Sequence, residues 1–191
     1  MKEVRAFVAI AMNDAMRIAL DSIKESVRQS IDLPFRWVNT EQSHLTLKFL
    51  GEMPVGLVSP VERALQVAGR RSSPFTICTG EIGGFPNLRN PRVLWVGLKG
   101  ALDALFDVQQ SIEELLAPLG IPPADRPYKP HLTLARIRDR IPMDQTRWPV
   151  AEIQIRRAEQ EVQEIVLMKS ELRPEGVRYS RLGVVNLERG L

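Results

Sequence analysis

The strongest constraint on this chain is a tetrapeptide that occurs twice, His44-Leu45-Thr46-Leu47 and His131-Leu132-Thr133-Leu134. One copy lies in each half of the 191 residues, and together they use both histidines of the sequence. Leu and Thr suit strands, and side chains at i and i+2 of a strand share a face. Each copy therefore presents an imidazole beside a hydroxyl and turns its leucines toward a core. Two such strands facing each other would gather two imidazoles and two hydroxyls about one point. A neutral imidazole can take a proton from a nucleophile while a protonated one supplies a leaving oxygen. In-line displacement at phosphorus needs those groups on opposite sides, which two strands from two halves provide. The threonine hydroxyls would hold the non-bridging oxygens, where charge builds up. A single His-x-Thr on a strand means little; a duplicate that shares both leucines and exhausts the histidines is a specific signal.

The rest of the chain alternates helix and strand signals around the two copies. Val4 to Ala11 reads as a buried strand. Asn13 or Asp14 can cap a helix carrying Met16, Leu20, Ile23 and Val27 at helical spacing, with Pro34 beyond its end. Phe35-Arg36-Trp37-Val38 is a short bridge into the first marked strand, His44 to Leu50. Ser59-Pro60-Val61-Glu62 has the form of a capping box with proline in the first turn, and Gly69 marks the expected helix end. Phe75 to Thr79 is a strand, and Gly80 to Pro91 a loop or irregular hairpin. Arg92 to Leu98 is another strand. Leu102 to Leu116 traces a long amphipathic helix, finished by Pro118 and Gly120. A proline-rich loop leads into the second marked strand, whose exit runs from Leu134 to Arg140. Ile153, Ile155, Val162 to Leu172 and Val177 to Val185 read as further strands. The expected fold is α+β and bilobal: two mainly antiparallel sheets with outer helices, an approximate twofold, and a central cleft. Residues 1–191 are expected to form a single domain of two interleaved lobes, one motif in each.

Composition adds little but excludes much. A net charge of +3 suits an anionic ligand without demanding one. The single cysteine, Cys78, rules out an internal disulfide and reads as a core thiol of a reducing compartment. No stretch approaches the ~18 apolar residues of a membrane span, and the N-terminus lacks the form of a signal peptide. A soluble, cytoplasmic protein is expected. No metal or other cofactor is expected: there is no third histidine and no Cys-x-x-Cys, and His44, His131 and Cys78 lack the spacing of a zinc site.

The sequence resembles the two-histidine phosphoesterase superfamily, marked by paired His-x-Thr-x motifs. More closely it resembles the RNA 2′,3′-cyclic phosphodiesterase family, also called 2′-5′ RNA ligases. The likeness covers nearly the whole chain. It includes Arg5 to Ile10, Trp37-Val38, His44 to Gly51, Phe85-Pro86-Asn87, Val93 to Gly97, Lys129 to Arg136 and Gly176 to Tyr179. The resemblance implies hydrolysis of a terminal 2′,3′-cyclic phosphate to a 2′-phosphate without a metal. It implies His44 as proton donor and His131 as proton acceptor, with Thr46, Thr133 and Arg136 binding the substrate. From the residues alone the two histidines are interchangeable. The implied partner is an RNA with a 2′,3′-cyclic phosphate end, tRNA fragments among the candidates. No obligate protein partner is evident, and a monomer is expected. The chain has no phosphate-binding loop or nucleotidyl-transfer lysine motif, so any joining would be the reverse reaction, without ATP. A cyclic phosphodiesterase for small nucleotides and a catalytically silent RNA-binding module are the competing readings.

Strand parity raises one difficulty. An odd offset from His131 puts Arg136 on the opposite face of a regular strand, so it reaches the site only if the strand bends near Ala135. Lys48 has the parity of His44 and is expected at the cleft rim. Tyr128, Phe85 and Trp37 are candidates for stacking on a nucleobase.

Overall fold

A computed structural model describes residues 2–30, 35–88, 91–137, 153–174 and 176–188. Pro34 and positions 138–140, named above, lie outside them. The elements run β1 (Glu3–Ala11), α1 (Asp14–Ser30), β2 (Phe35–Trp37), β3 (His44–Pro54), α2 (Val58–Arg70), β4 (Phe75–Phe85), β5 (Val93–Gly100), α3 (Leu102–Leu116), β6 (His131–Ile137), β7 (Glu159–Val162), β8 (Glu164–Arg173) and β9 (Gly176–Asn186). The fold is α+β with two antiparallel sheets, ordered β3-β1-β8-β9 and β2-β6-β5-β4-β7. Among the described residues no helix is long and apolar enough to cross a membrane.

A strand–helix–strand unit ending in the marked tetrapeptide occurs in each sheet. In the first sheet it is β1-α1-β3, in the second β5-α3-β6, and in both the two strands pair antiparallel. The units are interleaved with their opposite lobes. β2, from the first half, borders β6 in the second sheet, while β8 and β9, from the far end, complete the first. α1 contacts β4 and β7 of the second sheet, α2 covers β8 and β9, and α3 touches β3, β4 and α2. Met16, Leu20, Ile23 and Val27 are buried along α1, and Asn13 Oδ1 caps it by accepting from Met16 N at 2.8 Å.

Several expected boundaries move, each for a local reason. The capping box at Ser59 does not form. A tight turn over Val55–Leu57 is already helical and runs straight into α2, so the cap position falls on Leu57 without a side-chain bond. Gly69 lies inside α2, where the backbone of Asn186 occupies the space of a side chain. β4 continues through Gly80, Gly83 and Gly84 to Phe85. Glycine is needed there because the Trp95 ring fills the place of a side chain at Gly83. The short bridge at Phe35 is a true strand, β2, paired with β6. Ile153 and Ile155 precede β7 rather than forming strands.

Candidate active site

Both histidines open their strands, and both are anchored in the same way. His44 Nδ1 donates to the Gln42 carbonyl at 2.8 Å, and His131 Nδ1 to the Lys129 carbonyl at 2.7 Å. A carbonyl only accepts, so each neutral ring carries its proton on Nδ1 and leaves the Nε2 lone pair free. Aromatic walls hold each ring in place. Phe7 and Tyr179 pack on His44 at 4.8 and 5.0 Å between centroids; Phe85 and Trp95 pack on His131 at 4.8 and 6.1 Å. Lys129 Nζ lies 4.7 Å from the Trp95 ring. Thr46 and Thr133 are half-buried, two residues along from their histidines.

The parity difficulty resolves through a β-bulge that occurs in both copies. On β3, His44 and Thr46 face Ala11 and Ala9 of β1, but Val8 then faces Lys48, so Leu47 is an extra residue. On β6, His131 and Thr133 face Gly97 and Trp95 of β5, but Leu94 then faces Ala135, so Leu134 is extra. An inserted residue exchanges the faces of everything beyond it. Burial follows: Leu47 and Lys48 are consecutive buried residues, as are Leu134 and Ala135. Arg136 is thereby turned onto the face of His131 and is exposed. The same device corrects the reading of Lys48. It points away from His44, is 4% exposed, and pairs with Glu113 of α3. Phe49 takes the face of His44 instead and is 73% exposed.

The two motifs are tied to each other through the segments that precede them. Val38, just after β2, donates its backbone N–H to the Leu134 carbonyl at 2.9 Å. Tyr128, three residues before His131, donates its hydroxyl to the Thr46 carbonyl at 3.1 Å. Lys48 Nζ donates to the Pro122 carbonyl at 2.8 Å as well as to Glu113. Each approach to a histidine is thus fastened to the other histidine's strand, at or beside its bulge. A bulge takes one residue out of the ladder, and these contacts supply partners to the backbone there.

The imidazoles differ electrostatically. Burial, which disfavours the charged ring, holds both below the ordinary histidine value, and the carbonyl bonds act in the opposite sense. At His131 the positive charges of Arg136 and Lys129 add a further downward push. Among the described residues no such charge is a cause of the shift at His44.

The three aromatic residues expected to stack on a base are otherwise engaged. Tyr128 holds Thr46 and packs edge-on against Phe106, and burial pushes its phenol up. Trp37 packs on Phe35 and against the core, and Phe85 on His131 and Trp95. The exposed aromatic on the site's face is Phe49, which sequence reasoning missed because regular alternation puts it on the other side. Phe7 and Tyr179 were also missed as neighbours of His44, although both lie in segments that carry the family resemblance. Cys78 is half-buried rather than in the core, because it falls on the β4 face away from Ile77. It lines a cavity of about 480 Å³ with Thr79, Gly80, Glu81, Lys99, Gly100, Ile155 and Arg157, none of them a motif residue. Among the described residues no three His, Cys, Asp or Glu side chains come together as a metal ligand set, so His44, His131 and Cys78 do not form one.

Comparison with known proteins agrees with this fold. A relative from Methanothermobacter thermautotrophicus, named RNA 2′,3′-cyclic phosphodiesterase, is 31% identical over 97% of this chain and 100% of its own length. One of the same name from Thermus thermophilus is 34% identical over 94% of this chain and 88% of its own. Among solved structures, a Thermus thermophilus protein superposes with a TM-score of 0.75 at 30% identity, covering 97% of this chain and 98% of that one. E. coli LigT, solved in complex with 3′-AMP, does so with a TM-score of 0.71 at 25% identity, covering 98% and 100%. The pattern of the LigT like Phosphoesterase family matches twice, over residues 10–95 and 96–179, one histidine motif in each match. The chain belongs to the LigT-like phosphoesterase family.

Proposed function

We propose that the chain is an RNA 2′,3′-cyclic phosphodiesterase that opens a terminal 2′,3′-cyclic phosphate to a 2′-phosphate. The observation that carries this reading is the matched anchoring of two imidazoles, each with Nε2 free, on strands tied to one another. Neutral His131 takes a proton from water as its oxygen bonds to phosphorus. The bond from phosphorus to the 3′ oxygen breaks, and protonated His44 gives that oxygen its proton. The product carries a 2′-phosphate and a 3′-hydroxyl, with the proton now on His131 and His44 neutral. Exchange with solvent restores the start. Burial lowers both imidazoles, and at His131 the positive charges of Arg136 and Lys129 add to it, which supports reading His131 as the base and His44 as the acid. Thr46 and Thr133 donate to the non-bridging oxygens, and Arg136 adds positive charge on the side of His131.

The two lobes act as one unit in this scheme, since each supplies one proton carrier. A 5′-hydroxyl in place of water gives 2′-5′ joining, driven by ring strain and not by ATP. RNA fragments with cyclic ends, including those of tRNA, are the substrates, and the protein works as a cytoplasmic monomer. That E. coli LigT has been solved with 3′-AMP, a mononucleotide, keeps a small-nucleotide substrate as the competing reading. The test is an RNA ending in a 2′,3′-cyclic phosphate, incubated with the protein in excess EDTA. Ring opening to a 2′-phosphate is expected. A 3′-phosphate product, or activity that appears only on adding a metal ion, overturns the scheme.

A further inference from the structure

The short strand β2 places a second arginine beside the site. Phe35 and Trp37 pack inward with rings 5.2 Å apart, and the Arg28 guanidinium covers Trp37 at 4.8 Å. Arg36, between them, points the other way and is exposed. In the β2–β6 ladder Arg36 stands directly opposite Arg136. Directly opposed residues of antiparallel strands share a face. Both guanidinium groups therefore lie on the face of His131, onto which the Leu134 bulge turns Arg136. Among the described residues neither has a carboxylate within ion-pair distance. Like charges set opposite each other repel and cost stability. An anion between them reverses the sign, and planar guanidinium forks fit phosphate oxygens in pairs.

Position along β6 selects the phosphate. Thr133, next to His131 on that face, serves the reacting group. Arg136 lies three residues further, but with Leu134 bulged out Thr133 faces Trp95 and Arg136 faces Val93, so the two stand two ladder positions apart, roughly 7 Å at the rise of a strand. That reach suits the next phosphate along an RNA chain better than a second bond to the same one. We infer that Arg36 and Arg136 form a second anion subsite, which holds the phosphodiester on the 5′ side of the terminal nucleoside. This rests on the cyclic phosphodiesterase reading and narrows it. The preferred substrate has at least two nucleotides, and a cyclic mononucleotide forgoes the contact.

Three substrates test the subsite by kcat/KM: adenosine 2′,3′-cyclic phosphate, a dinucleotide ending in that group, and the same dinucleotide with an uncharged methylphosphonate linkage. The wild-type protein is expected to prefer the charged dinucleotide over the uncharged one by about 10- to 100-fold, the worth of one charge-assisted contact. Arg36→Gln should erase that preference, slowing the charged dinucleotide and leaving the other two substrates unmoved. Arg36→Lys, which keeps the charge and loses the fork, should retain part of it. Equal slowing of all three substrates by Arg36→Gln, or no slowing of any, overturns the subsite. So does wild-type turnover of all three without preference, which leaves the cyclic phosphodiesterase reading intact. Wild-type failure on all three overturns that reading itself, and the subsite with it.

Discussion

Three residues past each motif threonine the two halves part company. The second half has Arg136 there and the first has Phe49, both exposed on the face of their histidine. One position earlier the second half has the buried Ala135, and the first has Lys48, equally buried but ion-paired to α3. The duplicated part is the backbone device: strand entry, carbonyl anchor, bulge. What differs is the side chains that the bulge redirects. The same turn of the chain puts a cation on the face of one histidine and an aromatic ring on the face of the other. A symmetric scaffold thus places two imidazoles in unlike charge surroundings.

The largest test of this comparison removes the imidazoles themselves. His44→Ala and His131→Ala should each lower kcat by roughly 10²- to 10⁴-fold, the usual worth of a positioned proton carrier. Far-ultraviolet circular dichroism should be unchanged. Wild-type turnover in either variant would remove that half from the chemistry. The next largest effect is on stability. Lys48→Met leaves Glu113 partly buried without its partner and should cost about 3 kcal/mol in urea unfolding. Adding Glu113→Leu should recover most of that, because the charge left behind is gone. A loss within experimental error for Lys48→Met alone would mean that the first half is not braced differently from the second.

The smallest effect is a shift in pH dependence. With both imidazoles held below the ordinary value, the bell of kcat/KM should centre on the acid side of about 6.5. As the proposed base, His131 has to be neutral, so its lowered pKa should keep the enzyme active as the pH falls. Arg136→Gln removes a charge that opposes protonation. The pKa of His131 then rises, and the acid limb moves to higher pH. Phe49→Leu, at the corresponding position, should leave that limb where it is. If both variants move it equally, the electrostatic contrast between the halves is wrong.

Much of this was legible in the sequence. The duplicated tetrapeptide located the paired strands, and period-3.6 spacing placed α1 and α3 because their buried faces follow it closely. The site face was readable only as far as the alternation held. A bulge leaves no mark in the tetrapeptide, since Leu47 and Leu134 are apolar like any inward residue. Arg136 and Lys48 were therefore assigned to each other's faces. Two consecutive buried positions followed by an exposed one is the signature, and it becomes visible only with burial in hand. The anchors of the imidazoles were hidden for another reason: they are main-chain carbonyls, which any residue at Gln42 or Lys129 would supply. The capping box at Ser59 failed because the preceding tight turn had already begun the helix.

The fastening of each approach segment to the opposite strand bears on how the enzyme moves. Jaws joined at one end can swing; jaws lashed together through Val38, Tyr128 and Lys48 keep a fixed bite. Any opening of β3 away from β6 has to break these bonds first.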